Sequence, residues 1–143
     1  GVPHIPFEAL DENYVIDREA YLSYFRKMHR LFPKCKKMVM AVRNQIASSH
    51  HTLSGLLYDA VEDQLYTTRI YDIQPIVDPM GVGDAFIAAY IHAHQKWGDE
   101  NQYCLDFSLS ASAIKNTIPG DQNLVSEEEI ISNMTSSGGR VQR

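Results

Sequence analysis

The stretch Ile76-Val77-Asp78-Pro79-Met80-Gly81-Val82-Gly83-Asp84-Ala85-Phe86 constrains the fold of this chain more than any other. A short apolar segment runs through a Gly-x-Gly turn into a long apolar-periodic helix, with an aspartate at the junction. Glycines allow the backbone to approach a ligand closely and to adopt positive φ. A helix N-terminus presents unpaired N–H groups and the positive end of the helix dipole, so the turn suits a phosphate. Asp84 does not fit a plain anion site, because a carboxylate repels an anion. Its presence makes sense if it takes a proton from whatever attacks that anion. Phosphoryl transfer to an alcohol needs this pair, donors for the transferring group and a base for the hydroxyl. The plainer reading is that Asp84 caps the helix and that Gly-x-Gly is an ordinary turn.

The full string Asp78-x-x-Gly81-x-Gly83-Asp84, followed by Ala85-Phe86, resembles the signature of the ribokinase-like carbohydrate kinase family. The resemblance implies an α/β fold, the ribokinase-like three-layer α/β/α arrangement. It also implies that the amides of Gly81, Val82 and Gly83 form an anion hole for the terminal phosphate of ATP, with Asp84 as catalytic base beside the sugar hydroxyl. The sequence departs from the family at Pro79-Met80 and at Val82, none of which supplies the base or either glycine.

With 143 residues, the chain is long enough for one domain with a real core. An apolar content of 44% and a charged content of 22% are those of a soluble globular protein. A net charge of −5 argues against a general nucleic-acid binder. There is neither an apolar run long enough to span a membrane nor a signal-peptide pattern. Cys35 and Cys104 lack metal-ligand spacing and read as reduced thiols of a cytoplasmic protein. The paired His50-His51 and the nearby His92 and His94 give no convergent set of metal ligands, so no metal site is expected from the protein's own side chains. A chain starting at Gly1 rather than Met reads as a fragment or a processed form.

Along the chain, Asp17 is placed to cap a helix whose stripe is Tyr21, Tyr24, Phe25, Met28 and Phe32, with Pro33 beyond its end. Met38 to Val42 is a continuous apolar run that reads as a buried parallel strand, half of a βαβ unit. Arg43 and Asn44 follow at its carboxyl end, where open α/β sheets bind ligands. Leu53 to Tyr58 and Gln64 to Tyr71 flank a polar connection and read as a hairpin. The helix after Gly83 carries Phe86, Ala89, Tyr90, Ala93 and Trp97 on one face and stops at Gly98.

A further helix is expected from about Gln102 to Asn116, with Leu105, Leu109 and Ile114 apolar and Ser108, Ser110, Ala111, Ser112 and Ala113 making one side small. Small residues usually mark a packing seam, but the phosphate-type turn nearby tips this helix toward a pocket wall. By resemblance, this helix sets Ala113 and Asn116 against the adenine, while Arg43 and Asn44 line the nucleotide phosphates. The pattern Ser-Ala-x-x-x-Thr-Ile-x-Gly-Asp is similar to the branch acting on 2-keto-3-deoxygluconate, which implies that Asp121 reaches the substrate. Ser126 and Glu129 form a capping box for the last helix. Residues 1–134 therefore read as the C-terminal, nucleotide-binding part of a sugar kinase, and residues 135–143 as a mobile tail.

Kinases of this family are much longer, with an N-terminal half that reads the sugar and an Asn-x-x-Glu motif that helps hold Mg2+. No such motif occurs here in a suitable context. The fragment is expected to be inactive by itself, to bind ATP weakly and to self-associate through an exposed strand edge. Two alternatives remain: a catalytically inactive ribokinase-like binding module, and the phosphate-binding domain of another α/β enzyme.

Overall fold

The computed structural model describes residues 16–117 and 125–135. The element order is α1 (Arg18–Leu31), β1 (Lys37–Ala47), β2 (His50–Asp59), β3 (Gln64–Thr67), β4 (Tyr71–Ile73), α2 (Val82–Trp97), α3 (Asn101–Lys115) and α4 (Glu127–Thr135).

Strand β2 is the centre of the sheet. β1 lies antiparallel on one side, and β3 and β4 lie antiparallel on the other. The expected parallel β1 is therefore corrected: Met38 to Val42 pairs with Tyr58 to Ser54 in an antiparallel hairpin. The apolar run misled because continuous hydrophobicity reports burial on both faces, which a strand covered by helices on both sides has in either direction. The expected hairpin between Leu53–Tyr58 and the strand from Gln64 is present, but its second strand is interrupted. Between β3 and β4 the chain carries one extra residue, and Thr68 fills the break: its Oγ1 accepts from Gly55 N at 2.8 Å and its own N–H donates to Gly55 O at 3.0 Å.

Successive β2 side chains point to opposite faces, and each face is covered by helix. On one side Leu56 and Tyr58 pack with Leu65 and with Tyr21 and Phe25 of α1. On the other, Leu53 and Leu57 pack with Tyr71, Ile73, Phe86, Leu105, Leu109 and Ala113. The result is the three-layer α/β/α arrangement. Gly55 sets how close α3 lies, since a Cβ there would stand 3.2 Å from the Leu105 side chain and 3.4 Å from that of Leu109. Full burial of a leucine of this kind contributes about 1.5–3 kcal/mol, and a third cluster of Ala93, Cys104, Phe107, Ile114 and Ile130 joins α2, α3 and α4.

Asp17 caps α1 as expected, accepting from Ala20 N at 3.2 Å. Arg26 ties the same helix to the β2–β3 turn through Asp63. The Arg26 guanidinium, and after it the Tyr58 hydroxyl, holds the Asp63 carboxyl down to about 2. Ser126 accepts from Glu129 N at 3.1 Å, half of the expected capping box. Residues 136–143, most of the expected tail, lie outside the described residues.

Helix α3 is buried along nearly its whole length, and its serines explain how a polar helix tolerates this. Ser108 donates to Cys104 O, Ser110 to Ile130 O and Ser112 to Val82 O. Buried hydroxyls satisfied in this way cost little, and their small size lets α2 and α4 pack closely.

Candidate functional site

The chain enters the Gly-x-Gly turn along irregular backbone rather than a strand, since Ile76 and Val77 belong to no sheet. The amides of Val77 and Asp78 both donate to Asn116 O, at 2.8 and 3.2 Å. Asp78 Oδ1 then accepts from Met80 N at 2.9 Å, which folds the loop back on itself. Gly81 follows in the left-handed conformation, φ 80°, and is the N-cap of α2. Here glycine is required, because any Cβ at that φ is strained.

Gly83 differs from expectation. It is already helical, has no positive φ, and an added Cβ would meet nothing within 4 Å. Its value is open space rather than backbone freedom.

The N-terminus of α2 has no side-chain cap. Val82 N donates to Pro79 O, a long contact of 3.4 Å, and Ala85 N donates to Gly81 O at 2.9 Å. The amides of Gly83 and Asp84, in the first turn, have no backbone acceptor among the described residues. Asp84 is exposed, and among the described residues its carboxylate makes no hydrogen bond or ion pair. The plainer reading, that Asp84 is a cap, is therefore not what the structure shows, because Gly81 occupies the cap position.

These groups face a cleft of about 310 Å³ lined by Ala41, Arg43, Leu53, Pro79, Gly81, Val82, Gly83, Asp84 and Ser112. β1 delivers Arg43 because Arg43 pairs with Leu53, whose face carries α2 and α3. An arginine, a helix start with orphan amides and a carboxylate thus share one cleft. The first two would hold an anion such as a triphosphate, and the third would accept a proton at its edge. His51 lies on the same face of β2 as Leu53, next to the Gln45 pairing. Burial first, and then the neighbouring Arg43 and His50, push its imidazole below the ordinary histidine value, so it adds no charge at neutral pH.

The other expected site residues fare differently. Asn44 alternates to the opposite face of β1 from Arg43 and does not line the cleft. Ala113 is fully buried in the core between α3 and the sheet, so its methyl group is packing rather than a wall for adenine. Asn116 is 2% exposed, with Nδ2 donating to Ser112 O at 3.1 Å, and acts here as the C-cap of α3 and the anchor for Val77 and Asp78. The small side of α3 is a seam against its neighbours, and only Ser112 reaches the cleft. Asp121 lies outside the described residues. The sequence marks Ser112 only as one of several small residues of an expected pocket wall, not as a hydrogen-bonding residue. Its i, i+4 spacing to Asn116 was the available signal.

Among the described residues no group of three metal-ligating side chains occurs. Among the same residues no helix is long and apolar enough to cross a membrane.

No protein-family model and no curated protein matches the sequence. Solved structures do match. The chain superposes on a 2-dehydro-3-deoxygluconokinase from Thermotoga maritima with a TM-score of 0.78 and 30% identity, over 84% of this chain and 35% of that one. It superposes on a PfkB family carbohydrate kinase from Listeria grayi with a TM-score of 0.74 and 28% identity, over 84% and 39%. A proposed 2-keto-3-deoxygluconate kinase from Enterococcus faecalis shares the fold, with a TM-score of 0.68 at 16% identity over 89% and 36%. The chain thus spans little more than a third of the length of each of these three structures. In the motif around Asp84 and in three-dimensional fold alike, this chain resembles the ribokinase-like carbohydrate kinases of the PfkB type.

Proposed function

We propose that this chain is the nucleotide-binding part of a carbohydrate kinase that transfers the terminal phosphoryl group of ATP to a hydroxyl of a sugar or sugar acid, with 2-keto-3-deoxygluconate as the acceptor. The observation that carries the reading is the state of Asp84: exposed, uncommitted to its own helix, and set beside two orphan amides in the cleft that also receives Arg43. In this reading the Gly83 and Asp84 amides and the Arg43 guanidinium hold the phosphate, which the dipole of α2 also favours. The Asp84 carboxylate accepts the proton of the attacking hydroxyl as the new O–P bond forms and the bond to ADP breaks. Mg2+ bound to the nucleotide would neutralise phosphate charge. Substrate contact by Asp121 belongs to the same reading, whereas nucleotide contact by Asn44, Ala113 and Asn116 finds no support in the cleft's lining. The setting is cytoplasmic.

The test is Asp84→Asn in the whole enzyme. Asparagine keeps the size but cannot accept the proton, so turnover should fall by on the order of 10²–10⁴ while ATP affinity stays near wild type. Turnover within about threefold of wild type, far below the usual contribution of a general base, would remove Asp84 from that role. By itself the chain should bind ATP weakly and phosphorylate nothing, because no group among the described residues is placed to hold the acceptor hydroxyl at Asp84. It should also self-associate, since among the described residues β1 pairs only with β2 and leaves its outer edge open. Light scattering that shows a clean monomer at all concentrations would contradict this.

A further inference from the structure

The last turns of α3 grip the phosphate turn from both sides. Upstream of it, Asn116 O accepts from the amides of Val77 and Asp78. Downstream, Ser112 Oγ donates to the carbonyl of Val82, the first residue of α2, at 3.0 Å. The two anchors are themselves joined, Asn116 Nδ2 donating to Ser112 O at 3.1 Å. Both residues are buried, Ser112 fully and Asn116 to within 2%. The short loop from Asp78 to Gly81 is therefore suspended between two fixed points on one helix, and α3 is in turn held by the core packing of Leu105 and Leu109.

We propose that Ser112 is a positioning residue for the phosphate-holding turn: it fixes the start of α2 against α3 and so sets where the Gly83 and Asp84 amides point. The inference rests on the anion-holding reading of that turn. It differs from ordinary packing in one respect. In a helix the Val82 carbonyl already has an acceptor role toward the amide four residues on, so the Ser112 bond is not needed to satisfy it. What the hydroxyl adds is a fixed position. A donor displaced by a fraction of an ångström from an anion loses much of its hydrogen bond, because these bonds weaken steeply with geometry.

Ser112→Ala removes the hydroxyl and leaves the volume almost unchanged. Ser108→Ala is the matched control: it is an equally buried serine of the same helix whose hydroxyl donates to Cys104 O within α3 and touches no part of the turn. Two readouts on this chain are needed, amide exchange at Ala85, whose N–H donates to Gly81 O, and titration with ATP, inorganic tripolyphosphate and adenosine. In Ser112→Ala the Ala85 amide should exchange faster than in Ser108→Ala. ATP and tripolyphosphate should bind about five- to tenfold more weakly, the scale of one lost hydrogen bond, with adenosine unaffected. Exchange and affinities equal in the two variants overturn the proposal. So does faster exchange with unchanged tripolyphosphate affinity, because the serine would then be merely structural. If the unaltered chain binds neither ATP nor tripolyphosphate, the anion-holding reading fails and with it the role claimed for Ser112, while the exchange arm still reports whether the grip exists.

Discussion

Two helices of this chain begin beside an aspartate, and the two carboxylates are used in opposite ways. At the start of α1, Asp17 occupies the cap position and accepts the amide of Ala20. Its charge and its lone pairs are spent on the helix it begins. At the start of α2 a glycine in the left-handed conformation occupies the cap, and Asp84 stands three residues further on with its oxygens free among the described residues. The α1 start is self-sufficient. The α2 start leaves donors and an acceptor unspent and opens onto a cleft, and such an arrangement costs stability unless a ligand or solvent completes it. The difference shows that residue type at a helix terminus does not settle its role; which position it takes relative to the cap does.

The comparison can be broken most sharply by treating the two aspartates alike. Asparagine caps helices about as well as aspartate, so Asp17→Asn in the whole enzyme should leave turnover and melting temperature unchanged. Asp84→Asn should lose the two to four orders of magnitude given above. Equal effects on turnover would mean that the two carboxylates do the same job.

Next in size is Gly81→Val. A β-branched residue forced to φ 80° carries about 1–3 kcal/mol of strain, so the turn must rearrange. Affinity for ATP should fall at least about tenfold, the equivalent of 1.4 kcal/mol, and the melting point should drop by a few degrees. Calorimetric titration beside a thermal melt separates the two effects, and an unchanged affinity would falsify the claim that this turn holds the anion. The smallest effect is at the self-sufficient end. Asp17→Ala removes the cap of α1 at a cost of about 1 kcal/mol, visible as a loss of about 2–4 °C in the melt, with ATP affinity unaltered. Any weakening of ATP binding there would show that the two ends are coupled through the sheet.

Much of this was legible in the sequence because it is local. The cap of α1 at Asp17, the Gly98 stop of α2, the Ser126 cap of α4 and the hairpin from Leu53 all follow from residue type and spacing within a few positions. The motif from Asp78 to Asp84 likewise announced a turn leading into a helix, with the chemistry to suit. Periodicity also gave the buried face of α2, and in α1 it gave Tyr21 and Phe25, but Phe32, the last residue of the expected stripe, is the C-cap and is exposed. Strand direction was not legible, since Met38 to Val42 is equally apolar whether its neighbour runs parallel or antiparallel, and only the β2 register decides it.

The site shows the same division. Sequence alone determined which residues could hold a phosphate and accept a proton, because those are properties of glycine amides, guanidinium and carboxylate. Tertiary structure decided which of them meet. Alternation along β1 sends Arg43 to the cleft and Asn44 away from it. Packing against the sheet takes Ala113 into the core, and the close approach of α3 turns Ser112 and Asn116 from small or polar helix residues into the grip on the turn. The backbone shows Gly81 rather than Gly83 taking the positive φ. Such outcomes depend on contacts between residues far apart in the chain, and no local pattern of residue types encodes them.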